Sequence, residues 1–132
     1  MESFINHLTQ EILNDVIVTG YIDSEETPVF HPMYERLFFV FSDLTYEMYL
    51  DGGLIKLNEI NEIKEWFDVD EDDKFSLMSI YSQLFKTESE IKVSKVSYEK
   101  TPLSDMSIAY HEGDIERVLT LDPNNFFGFT FL

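Results

Sequence analysis

Asp68, Asp70 and Asp72 stand at alternate positions, the spacing at which an EF-hand loop offers its first oxygen ligands to calcium. The rest of such a loop is missing. With Asp68 as position one, Asp73 occupies position six, where the turn needs Gly, and Ser79 occupies position twelve, where a bidentate Glu should stand. The segment therefore reads as a solvated acidic turn, with weak calcium binding the most it offers. His111-Glu112-Gly113-Asp114 places three potential ligands on one tight turn, but neither His7 nor His31 has a spacing that completes a set, so this too reads as a structural turn. There is no Cys, which removes disulfides, thiolate metal sites and cysteine nucleophiles together. No Gly-x-Ser-x-Gly elbow, phosphate-binding loop or dinucleotide fingerprint occurs. Acid–base pairs cannot be singled out among so many carboxylates. No catalytic residue, metal or cofactor is assigned, and the chain is not expected to be an enzyme.

The stronger signal is charge. Twenty-six Asp and Glu oppose nine Lys and Arg, a formal net charge of −17. Such a surface repels nucleic acid and anionic membranes and steers a basic partner toward it. The density peaks in residues 59–73, where Glu59, Glu62, Glu65, Asp68, Asp70, Glu71, Asp72 and Asp73 surround a single Lys64 and flank Trp66 and Phe67. Clustered carboxylates beside a large aromatic suit recognition of a basic surface, the charges supplying orientation and on-rate and Trp66 a desolvated anchor. Those eight acids and Trp66 form the candidate partner-binding set. The other reading is that Trp66 or Phe67 belongs to the core and the carboxylates to a solvated helix face. The Lys residues at 92, 95 and 100 decorate a strand and its exit and do not line a nucleic-acid groove.

The elements that would position this set follow from apolar spacing and turn residues. A first helix, capped by Ser3, is expected to run to about Asn14, with Phe4, Ile5, Leu8, Ile12 and Leu13 near helical spacing. Residues 16–22 read as a strand and 23–32 as a loop. Residues 37–41, 44–50 and 54–57 read as three strands of a meander, turned at Asp51-Gly52-Gly53. Asn58 and the spacing of Ile60, Ile63 and Phe67 predict a short helix over 58–67; a second, over 75–85, is capped by Asp72 or Asp73 and buries Leu77, Ile80, Tyr81 and Leu84. A strand over 91–98 precedes a hairpin of 106–110 and 115–121. A turn at 122–125 leads to a closing strand over 126–131 that points Phe127, Phe129 and Phe131 inward. The expected class is α+β in a single domain of 132 residues: mainly antiparallel sheet built from meander hairpins, with two or three short helices packed on it.

Twelve Phe, seven Tyr and one Trp in so acidic a chain place the charge on a folded surface, not on a disordered one. The N-terminal residues lack a basic region followed by an apolar run, and no stretch approaches the roughly twenty apolar residues of a membrane helix. A cytoplasmic location is expected. In size, charge, absence of Cys and strand-rich make-up, the chain resembles the immunity proteins of bacterial toxin–immunity systems, including those of contact-dependent growth inhibition. The resemblance rests on no motif and transfers no binding residue. It implies a cytoplasmic antitoxin that neutralises a basic cognate toxin domain, often a nuclease, by covering its active or substrate-binding surface. The alternatives are an adaptor or regulatory module, or a nucleic-acid mimic, binding another basic protein; a further alternative is a small enzyme or metal-dependent protein.

Overall fold

The computed structural model describes residues 1–132. Two antiparallel sheets share one core. The first contains β1 (Asp15–Ile22), β2 (Phe30–Val40), β3 (Thr45–Asp51), β4 (Leu54–Ile60) and β5 (Lys74–Ser79), in the spatial order β4-β3-β2-β1-β5. The second is a plain meander of β6 (Lys92–Tyr98), β7 (Met106–Glu112), β8 (Ile115–Asn125) and β9 (Gly128–Phe131). Two short helices, α1 (Glu2–Gln10) and α2 (Tyr81–Phe85), complete the chain. The class is thus α+β with antiparallel sheets, with the helical content at the low end of expectation.

Alternation along the strands sends one set of side chains into a cluster of 23 buried residues. Val16, Val18, Leu37, Phe39 and Met48 come from the first sheet; Met106, Ile108, Leu119, Leu121 and Phe129 come from the second. Phe4 and Leu8 of α1, one helical turn apart, close one side of it, with Phe4 edge-on to both Phe39 and Tyr46. The sheets meet where β2 bulges. Ile17 pairs with Phe38 but Thr19 pairs with Met33, so Val18 alone opposes residues 34–37. The inserted residues bring β2 against β9. Gly20, just beyond, lies so close to β2 that a Cβ there would come within 2.1 Å of the His31 carbonyl oxygen.

Several expected elements are different in the structure. Ser3 does not cap α1: the cap position is Met1, and the helix stops at Gln10 rather than near Asn14. Residues 58–67 are not helical. Asn58, Glu59 and Ile60 finish β4, paired to Glu47, Tyr46 and Thr45, and residues 61–73 run without regular structure. A helix here would stack Glu59, Glu62 and Glu65 at threefold spacing, where like charges repel; β4 instead satisfies its backbone on β3. The expected helix over 75–85 divides into β5, an edge strand beside β1, and the five residues of α2, which ends with Lys86 in the left-handed conformation at φ 59°. Leu77 accordingly points outward, 47% exposed. At the C-terminal hairpin, β8 continues through Asn125, and the turn falls on Phe126 and Phe127. Phe129 is buried as expected, but Phe127 is not.

Candidate binding surface

The order β4-β3-β2-β1-β5 puts the ends of β4 and β5 on opposite edges of the first sheet, four strand spacings or about 19 Å apart. Residues 61–73 bridge that distance as a strap across the face turned away from the core. Trp66 holds the strap down. Its indole Nε1–H donates to the Thr19 hydroxyl at 2.7 Å, and Thr19 is completely buried. Thr19 is adjacent to Val18, so the two project to opposite faces of β1, which fixes the strap on the outer side. Phe38, also fully buried but outside the main cluster, shares that outer side with its partner Ile17. Covering it is worth about 1.5–3 kcal/mol.

One cation organises the underside of the strap. The Arg36 guanidinium lies 4.7 Å from the Trp66 ring centroid and 5.3 Å from that of Tyr49, and it donates to Glu47 at 3.0 Å. Asn58 of β4 donates to the other Glu47 oxygen at 3.4 Å. Phe67 stands edge-on to Trp66 and, 5.7 Å from Phe75, joins the strap to β5. Trp66 and Phe67 are therefore half-buried fasteners in the free protein.

The carboxylates face the other way. Glu62, Glu65, Asp68, Asp70, Glu71 and Asp72 are exposed and Asp73 is half-buried, whereas Glu59, also exposed, lies on β4 opposite the core residue Tyr46, on the α1 side of the sheet and apart from the strap. The only ion pair on the strap is Lys64 with Glu62 at 3.9 Å, fully in solvent. The Asp73 amide closes a turn onto the Asp70 carbonyl at 3.0 Å. Neither this turn nor the one at residues 111–114 gathers three or more His, Asp or Glu side chains as ligands around a point. Glu112 is instead a fastener: the Thr87 hydroxyl donates to it at 2.6 Å, and this hydrogen bond, opposed by desolvation, holds its carboxyl below the ordinary range.

A second polar group was not legible in the sequence. Asp43, His7, Tyr46, Ser3 and Glu59 form a continuous chain joining α1 to β3 and β4. His7 Nε2 lies 3.2 Å from Asp43; its Nδ1 lies 2.9 Å from the Tyr46 hydroxyl and 3.3 Å from the Ser3 carbonyl. The Tyr46 hydroxyl is 2.6 Å from Ser3 Oγ, which donates to Glu59 at 3.1 Å. Desolvation opposes charge on His7, but the Asp43 carboxylate, the Ser3 carbonyl and the nearby Glu11 outweigh it, and the imidazole is raised above its usual value. Asp43 is correspondingly lowered by its bond to His7. The one sequence signal for this group is Ser3 and His7, a helical turn apart on α1. Tyr46, 43 residues from Ser3, enters only through the fold.

Comparison with protein-family models, curated proteins and solved structures finds no match for this chain. No helix is long and apolar enough to cross a membrane.

Proposed function

We propose that this chain is an acidic binding protein that neutralises a basic cognate toxin domain, a nuclease above all, by covering its active or substrate-binding surface. The observation that carries the reading is the strap: seven carboxylates around one lysine, all but Asp73 exposed and all but Glu62 without an ion pair, displayed on a segment fastened from beneath. Like charges held this close repel and lower stability, and a basic partner would relieve that repulsion. A nuclease must present Lys and Arg to phosphate, and the strap is a competing polyanion for the same surface. The resemblance in size, charge and strand content to immunity proteins supplies the toxin as the partner. Trp66, already committed to Thr19 and Arg36, serves this function by keeping the carboxylates in place.

The test begins with affinity capture from source-cell lysate at low and then high salt, followed by co-expression of the captured protein with and without this chain. The expected result is one basic polypeptide whose toxicity is abolished by this chain. Association should slow as salt rises, and reversing Glu62, Glu65, Asp68 and Asp70 to Lys should lower the on-rate by about tenfold or more. An unchanged affinity with unchanged salt dependence would remove the strap from the interface. A specific basic partner that harms no cell would replace neutralisation with an adaptor role.

A further inference from the structure

Asn125 and Gly128 pair across the end of the β8–β9 hairpin, leaving Phe126 and Phe127 as a two-residue loop. Asn at the first position and Gly at the last are residues favoured in a type I turn. The Asn125 side-chain oxygen accepts the Phe127 amide at 2.8 Å, and Gly128 takes φ 110°, a conformation open to residues without a Cβ. Nothing in this turn chemistry calls for aromatic residues in the middle. Yet Phe126 is 93% exposed and Phe127 73%, their rings edge-to-face at 5.3 Å. Among the other exposed apolar side chains only Leu132, at 85%, exceeds Phe127, while Ile12, Leu77 and Val118 are less exposed than either ring. Here two adjacent rings are held in water.

The tip is also braced. Asp122 accepts the Asn124 amide at 2.8 Å, and the Asn124 side chain donates to the Leu103 carbonyl at 3.2 Å, tying the hairpin to the β6–β7 loop. Gly128 rests on the backbone of Tyr34 and Glu35 so closely that a Cβ would come within 2.3 Å of it. These contacts fix the backbone from which both rings project. A pre-ordered aromatic pair loses little conformational freedom on docking, which is what an interface anchor requires.

We infer that Phe126 and Phe127 form a wedge that inserts into an apolar pocket on a basic protein partner. The inference deepens the proposed function and rests on it for the identity of that partner. Charge selects among occupants. A second copy of this chain, also at −17, and an anionic membrane are both repelled. The one charged side chain in the braced tip is the Asp122 carboxylate, so the local charge beside the wedge has the same sign as the whole chain and complements a cationic rim.

The experiment places a photo-crosslinking phenylalanine analogue at position 126 or, as a control, at 118 in the full chain in its source cells. The adduct is identified, and the crosslinked protein is purified and titrated with wild type and with F126S/F127S. A basic protein is expected to crosslink from 126 and not from 118. The double variant should retain the wild-type melting temperature, because both rings are exposed, and should weaken Kd by about 30-fold or more through the off-rate. Its salt dependence should stay as in wild type, because the strap is intact. Adducts no more frequent from 126 than from 118, adducts only to lipid or to a second copy of this chain, or a Kd changed less than about threefold would overturn the inference. Binding lost in F126S/F127S to a partner that is not a toxin would sustain the wedge and overturn neutralisation. A neutralised toxin that ignores F126S/F127S would do the reverse.

Discussion

Raising the pH through the His7 titration should loosen the junction between α1 and the β3–β4 edge. As imidazolium, His7 donates from Nε2 to Asp43 and from Nδ1 to Tyr46; Tyr46 then donates to Ser3, and Ser3 to Glu59. Every hydrogen points the same way along each branch, and each branch ends on a carboxylate. As neutral imidazole, the ring must give up one donor. If Nδ1 loses its proton, Tyr46 turns to donate to it, Ser3 donates to Tyr46, and Glu59 loses its bond. If Nε2 loses it, Asp43 does. Either way at least one hydrogen bond disappears, worth about 1 kcal/mol and less where solvent replaces it, and loss of the Nδ1 proton also removes the longer contact to the Ser3 carbonyl. The pKa of His7 is raised on folding, so its contribution is complete below the unfolded value near 6.5 and is lost as pH climbs through the higher folded value. The titratable groups facing His7 are Asp43, Glu11 and Tyr46; the bond to His7 lowers Asp43, and burial raises Tyr46. Urea melts of wild type and H7Q at pH 5.5 and 8.0 isolate the effect. The stability difference between the two proteins should be larger at pH 5.5 by up to about 1 kcal/mol, or about 3–5 °C in Tm. S3A then identifies the bond that is lost: if it is the one to Glu59, S3A costs more at pH 5.5 than at 8.0. A difference between wild type and H7Q that is flat with pH, or larger at pH 8.0, would refute the relay.

Two further outcomes follow from the strap and the charge. W66F should remove the donor to the buried Thr19 hydroxyl and cost about 1–2 kcal/mol in a denaturant melt followed by circular dichroism; a cost near zero would mean the strap is held by Phe67 and Phe75 alone. Because self-repulsion at −17 outweighs the few ion pairs present, Tm should rise between 20 mM and 500 mM sodium chloride as screening lengths shrink. A Tm that falls over that range would show the ion pairs to dominate.

Much of the fold is legible in local chemistry. The β-branched run of β1 and the turn glycines 52 and 53 specify pairings between neighbours in sequence, and so does the clean alternation of β6 and β7. In each case a residue's face depends only on a period of two and on a nearby turn. The misreadings arise where two periods fit the same residues. Ile60, Ile63 and Phe67 satisfy a helical stripe, but Ile60 also fits the end of an edge strand, and the strand prevails because β3 offers its backbone a partner. Likewise Phe75, Leu77, Ile80 and Leu84 fit a helix until β1 supplies an open edge for β5.

The candidate surface divides along the same line. The sequence by itself determines how many carboxylates crowd into residues 59–73, that a large aromatic sits among them, and that the chain carries a large net negative charge. Charge is additive and needs no coordinates. Only the tertiary structure decides what each group does. Trp66 faces inward because the strap must cross from one edge of the sheet to the other and Thr19 offers an acceptor on the way. His7 meets Tyr46 because α1 packs over β3. Phe127 turns to solvent because β8 runs on through Asn125 and pairs it with Gly128, which leaves Phe127 in the turn and outside the strand whose alternation still buries Phe129.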